Sequence, residues 1–158
     1  MHGPTLTSNQ PAVADIPRQC LTFVLAKEEY GVDILRVQEI KGFTAVTPLP
    51  NTPPHIRGVM NLRGTVVPVI DLRSRFGMPE HPYDKFTVII VLTVGTRVVG
   101  LVVDAVSDVL EMADVGVDAT PDLGAGVDTS FLRGVCRSGE RLVMLLDIDQ
   151  VVGLDTGR

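Results

Sequence analysis

Residues able to do covalent or acid–base chemistry are few in this 158-residue chain, and none stands in a catalytic pattern. The three histidines are His2 near the N-terminus and His55 and His81 in proline-rich stretches. Neither a His-Glu-x-x-His run nor a Cys/His spacing suited to zinc occurs. Cys20 and Cys136 lie in apolar runs, where a thiol behaves as a small buried hydrophobe; a reactive thiolate needs exposure and nearby positive charge. Ser74, Ser107 and Ser130 lack the glycine-flanked elbow that presents a nucleophilic serine. Glu28-Glu29 reads as a solvated hairpin turn. Asp147 and Asp149 open a short helix, where acids are favourable without catalytic purpose. Asp114, Asp118 and Asp122 do not follow the calcium-loop order, and Gly58, Gly64, Gly95, Gly100 and Gly134 are too scattered to cradle a phosphate. No catalytic residue, metal or cofactor is therefore assigned. Arg57 and Arg63 flank one turn, where an arginine is either solvated or an interface anchor. Val37 and Ile40 are similarly either core or contact surface, and exposure decides between the two.

The elements that must carry these residues are short strands. Val, Leu and Ile dominate, Trp is absent, and the net charge is -5, which gives no support for nucleic-acid binding. No apolar run reaches the roughly 20 residues of a membrane span, and the first residues lack a secretory signal pattern, so a cytoplasmic protein without direct membrane insertion is expected. Residues 1–17 read as a disordered tail, residues 18–152 as one domain and residues 153–158 as a C-terminal tail.

Within the domain the sequence repeats itself. Ile56-Arg57-Gly58-Val59 through Val66 to Leu72 lays over Leu132-Arg133-Gly134-Val135 through Leu142 to Ile148 without a gap. Tyr30-Gly31-Val32, Val37, Glu39 and Ile40 likewise echo Val99-Gly100-Leu101, Val106, Asp108 and Val109. Two similar small β units follow, the second starting at about Lys85. Strands are expected over residues 20–25, 30–34, 40–46, 65–70, 86–93, 97–103, 131–137 and 141–146, with short helices capped by Asp71 and Asp147. Ile34, Val37 and Ile40, spaced by three, predict a helical turn or irregular edge; Val106, Val109 and Leu110 predict a short amphipathic turn. Gly58, Asn61 and Gly64 are expected to set hairpin geometry, and Pro68 an edge or bulge. Many short strands without a long helix indicate an all-β protein built from small barrels.

The wording of several segments resembles the CheW family, bacterial chemotaxis coupling proteins. The segments are Glu28 to Ile40, Thr47 to Pro53, Ile56 to Gly64, Val66 to Leu72 and Arg97 to Leu110, in order. The resemblance spans residues 20–152. It implies two SH3-like five-stranded β-barrel subdomains, approximately residues 22–83 and residues 84–148 with the start of the first strand, and a non-enzymatic adaptor. Such an adaptor joins the regulatory domain of the histidine kinase CheA to the cytoplasmic tip of methyl-accepting receptors, in arrays beneath the inner membrane. It also implies roles for single residues. Val37, Glu39, Ile40 and Lys41 would meet the kinase. Arg63 would couple to receptors, and Val88, Ile89, Gly100 and Val103 would line or support a receptor groove. Met60 stands where many relatives have a small polar residue. The alternative is a ligand-binding or enzymatic barrel with its site at the subdomain junction, which a deep pocket with convergent polar groups would favour.

Overall fold

A computed structural model describes residues 16–113, 115–119 and 129–153. The expected tails lie largely outside this range, although Ile16 packs on a core cluster and Gly153 ends the last helix. The described chain forms eleven strands: β1 (Gln19–Leu25), β2 (Glu28–Asp33), β3 (Val37–Gly42), β4 (Ile56–Leu62), β5 (Thr65–Asp71), β6 (Val88–Val94), β7 (Arg97–Val103), β8 (Ala105–Glu111), β9 (Gly116–Asp118), β10 (Leu132–Ser138) and β11 (Arg141–Leu146). Helices α1 (Leu72–Arg75) and α2 (Ile148–Val152) follow β5 and β11, each capped by its aspartate: Asp71 accepts from the Ser74 N–H and Asp147 from the Gln150 N–H.

The strands make two sheets. One is five-stranded in the order β3-β6-β7-β5-β4, the other six-stranded in the order β8-β1-β2-β11-β10-β9. Each sheet takes strands from both expected subdomains, residues 22–83 and residues 84–148 with the start of the first strand. Hairpin β1–β2 belongs with the C-terminal strands, and hairpin β6–β7 with the central ones. The chain changes sheet twice, through a 3₁₀ turn at Ile34–Arg36 and again at Asp104 between β7 and β8. Alternating hydrophobicity marks strands but not their pairing, so the exchange of hairpins leaves no trace in the pattern.

The repeat is exact down to register. β5 pairs in parallel with β7, Val69 opposite Gly100; β11 pairs in parallel with β2, Leu145 opposite Gly31. Val37 faces Leu92 and Ile40 faces Ile90 in one sheet, as Val106 faces Phe23 and Val109 faces Leu21 in the other. Bulges recur too, between Ile56 and Gly58 and between Leu132 and Gly134. Residues 105–111 are thus a strand, not an amphipathic turn, because they repeat β3. The extended segment expected over residues 40–46 starts earlier, at Val37, and ends at Gly42. Pro68 sits one residue before parallel pairing with β7 begins, where its missing N–H costs no ladder bond on that side.

Neither sheet closes into a hydrogen-bonded barrel among the described residues: β3 and β4 end one sheet, β8 and β9 the other. The main core lies between the sheets, with Phe23, Leu25, Val32, Ile90, Leu92, Leu101 and Val151 fully buried. Each sheet also covers a smaller cluster, one around Met60, Val67, Ile89 and Val91, the other around Cys20, Cys136, Val143 and Leu145. Met60 is therefore accounted for as a core side chain.

Candidate functional site

The turn between β4 and β5 is a two-residue loop. Arg63 and Gly64 take φ of +49° and +89°, the left-handed pair that a tight antiparallel hairpin requires. Asn61 accepts the Gly64 N–H on Oδ1 at 2.7 Å and fixes the loop. The Arg63 guanidinium, 70% exposed, donates to Glu39 Oε2 at 2.5 Å. Glu39 is on β3, the opposite end strand of the same sheet, so the sheet curls until its ends meet through side chains. The hydrogen bond from Arg63 holds the Glu39 carboxyl below its ordinary range. Two residues assigned to different partners are thus joined to each other.

Around this pair, Ile40 is 42% exposed, while Val37 and Lys41 are half-buried and Val37 packs against the main core. Of the residues expected at a receptor groove, Val88 is half-buried and Gly100 buried, whereas Ile89 and Val103 are 0% and 1% exposed. β6 and β7 are interior strands with a hydrophobic cluster on each face: Ile89 points into one and Val103 into the other. Ile89 and Val103 are sealed in the interior; Val103 pairs across the strands with Val88, while Ile89 packs on the opposite face of the sheet. Gly100 is required for packing, since a Cβ there would lie 2.8 Å from Ile89 Cγ2. Gly58, at φ +144°, is required for a close crossing: a Cβ would lie 2.0 Å from the Thr47 carbonyl oxygen, where Thr47 and Val59 form an isolated bridge.

Three polar clusters escaped the sequence reading. Buried Asp71, 4% exposed, accepts Arg57 Nε and Nη2 at 3.1 and 2.9 Å and the Tyr83 hydroxyl at 2.7 Å. Burial, then the hydrogen bond to Asp71, pushes the Tyr83 phenol up to about 12. Asp104, at the second sheet crossing, accepts Arg73 Nε and Nη2 at 2.9 and 2.7 Å and the Ala26 N–H at 2.9 Å. Arg141 donates to Glu29 at 2.8 and 3.0 Å and to Asp108 at 2.5 Å. Thr22 donates to that Asp108 carboxylate at 2.6 Å. Glu29 is consequently half-buried on β2 and not a solvated turn residue; the turn is Ala26-Lys27, both at positive φ. The Arg57–Asp71 spacing, repeated as Arg133–Asp147, was the available signal for the first cluster.

The surface repeats as well. Ile40 and Val66 on one sheet are 42% and 68% exposed; their repeat equivalents Val109 and Leu142 on the other are 47% and 57% exposed. Each pair has an acid on the neighbouring residue tied to an arginine, Glu39 to Arg63 and Asp108 to Arg141. Such apolar positions beside fixed charges suit protein contact, the aliphatics supplying area and the charges register. For bound-ligand chemistry there is less. Among the described residues no group of three or more His, Cys, Asp or Glu is placed to hold a metal, and no helix is long and apolar enough to cross a membrane. An open polar cleft of about 480 Å³ lies beside α2, but its Asp33 and Asp147 cap helical turns and its Arg36 and Asp149 pair at 3.6 Å.

Residues 19–155 match the family model described as CheW-like domain. The chain is 45% identical over 146 residues to the chemotaxis protein CheW of Klebsiella aerogenes, covering 92% of this chain and 88% of that protein. It is 42% identical over 134 residues to the CheW of Rhizobium meliloti, covering 85% and 86%. Among solved structures, the scaffolding protein TtCheW of Thermoanaerobacter tengcongensis superposes with a TM-score of 0.76 at 33% identity, covering 84% of this chain and 90% of that one. Two repeat-related curled sheets, matched along nearly their full length in sequence and in structure, place this chain in the CheW family.

Proposed function

We propose that this protein is a non-enzymatic chemotaxis adaptor that couples methyl-accepting receptors to the histidine kinase CheA and supports assembly of receptor arrays. The observation that carries this reading is the family match across residues 19–155, which takes in both sheets and the turns between them. An adaptor needs two contact surfaces held in fixed relation, so that a shift at one biases the partner at the other. Two sheets around one shared core, with hairpins exchanged between them, supply that rigidity.

Kinase contact is assigned to β3, with Ile40 giving apolar area and Glu39 and Lys41 giving charge register. Val37 anchors the strand from beneath. Receptor contact is assigned to Arg63 and Val88, with Ile89, Gly100 and Val103 as supporting residues that pack strands β6 and β7. The protein acts in the cytoplasm and reaches the inner membrane through its partners. Isothermal titration calorimetry tests the pair of surfaces: the kinase regulatory domain and a receptor-tip fragment each give heat, and saturation with one leaves the site for the other available. Absence of heat with both fragments would defeat the proposal.

A further inference from the structure

The repeat breaks at the end of α1. The equivalent of Arg75 in α2 is Val151, which is fully buried in the main core. Arg75 reaches across to that second helix: Nε donates to the Val151 carbonyl at 2.7 Å and Nη2 to the Gln150 carbonyl at 3.3 Å. The last carbonyls of a helix have no intrahelical donor, so the guanidinium completes the end of α2. Its carbon lies 4.9 Å from the Phe131 ring centroid, over the 3₁₀ turn at Thr129–Phe131 that leads into β10. Phe76, the next residue, packs between the same Phe131 at 5.1 Å and Tyr30 of β2 at 5.7 Å. One end of α1 thus grips α2, β2 and the approach to β10, on the side of the six-stranded sheet.

The other end of α1 belongs to the five-stranded sheet. β5 runs into it without a break, and Asp71, the last residue of β5, caps it. Arg73 donates to Asp104 at 2.9 and 2.7 Å and holds the same turn to the crossing between β7 and β8. Exposed Val66 lies on β5, and exposed Leu142 lies on β11, which leads to α2 through Asp147. The path from Val66 through β5 and α1 to α2, β11 and Leu142 is therefore covalent except for the Arg75 hydrogen bonds. We infer that Arg75 is the positioning residue that sets the exposed surface of one sheet against that of the other. Apolar packing resists separation of the sheets but is non-directional. Two hydrogen bonds from one planar, pre-organised guanidinium fix both the distance and the angle between the helices. The inference stands on this contact and does not depend on which partner docks at either surface.

The test measures distances in the full chain by double electron–electron resonance. Nitroxide labels are placed through Val66→Cys and Leu142→Cys, one on each sheet; the native thiols of Cys20 and Cys136 are buried and escape labelling. The parent should give one narrow distance distribution. Arg75→Met keeps an apolar stem over Phe131 and loses both donors. It should displace or widen that distribution by about 2 Å or more, the size of helix shifts at packed interfaces. A second pair, Ile40→Cys with Val66→Cys inside one sheet, should stay unchanged. Arg75→Lys, which keeps the charge and can reach one carbonyl, should move the first pair in the same sense by less, and it supplies the reading if Arg75→Met does not fold. A merely structural role would lower stability and leave the distance in the folded protein as it is. An unmoved distribution between the sheets, or an equal change in the pair within one sheet, would overturn the inference.

Discussion

Arg63, at the tip of the β4–β5 turn, donates to Glu39 on β3, so a charge pair spans the two end strands of one sheet. The pair closes by side chains a curl that backbone hydrogen bonds leave open. It also ties the residue assigned to receptor coupling to one assigned to kinase contact. Because the Arg63 guanidinium is largely exposed, the pair adds little to folding and its weight falls on the shape of the surface.

Reversing one charge should therefore disturb binding and leave the fold. Arg63→Glu is expected to melt with the parent protein and to weaken receptor-tip binding more than kinase binding. Glu39→Arg combined with Arg63→Glu rebuilds the pair with reversed polarity. Binding that recovers in the double variant assigns the role to the pair; binding that stays lost assigns it to Arg63 itself. Calorimetric titration of each partner against the single and double variants separates the cases.

Two glycines of the same hairpin should behave unlike each other. Gly58→Ala places a Cβ 2.0 Å from the Thr47 carbonyl oxygen at φ +144°. Both crossing and backbone must shift, and a loss of about 3 kcal/mol or more is expected. Gly64→Ala, at φ +89° with nothing within 4 Å, meets only the left-handed penalty of about 1–2 kcal/mol. Urea unfolding of both variants, compared at constant slope, measures the difference.

Stability should fall with acid in two windows. Burial, then the nearby Arg75, lowers the His55 pKa below its ordinary 6.5, so below that pH the unfolded chain binds the proton first and stability declines. Asp104 is different: burial opposes its ionisation, but the Arg73 and Ala26 hydrogen bonds win and hold it below its ordinary 3.8. Its contribution is present above that value and is lost as pH falls through the depressed one. His55→Gln should remove the first decline and leave the second, as read from unfolding midpoints between about pH 7 and pH 3.

Both thiols should be silent in the native state. Cys20 and Cys136 are free and 0% and 1% exposed, and burial pushes them up to about 12 and about 11. A chromogenic disulfide reagent at about pH 8 should find no reactive thiol in the folded protein and two after denaturation.

The repeat, the caps at Asp71 and Asp147, and the hairpin geometry at Gly64 were legible because each depends on neighbours in sequence. The pairing of β1–β2 with the C-terminal strands was not, since a period of two reports faces and is blind to partners. Exposure was not legible either: Val88 and Ile89 are adjacent aliphatics of one strand, yet one is half-buried and the other is sealed within the Met60 cluster. The Glu39–Arg63 contact joins end strands, and only the curl of the sheet brings it about. The Tyr83 latch on Asp71 arises from a proline-bearing connector whose path no periodicity describes.

The central claim is that one protein holds kinase and receptor together. Co-sedimentation tests it most directly: membranes bearing receptor cytoplasmic tips are pelleted with CheA, with and without this protein. Pelleting of the kinase should rise several-fold when the protein is added, and Arg63→Glu should abolish most of the increase. Kinase that pellets equally well in its absence, or a protein that pellets with neither partner, would contradict the account.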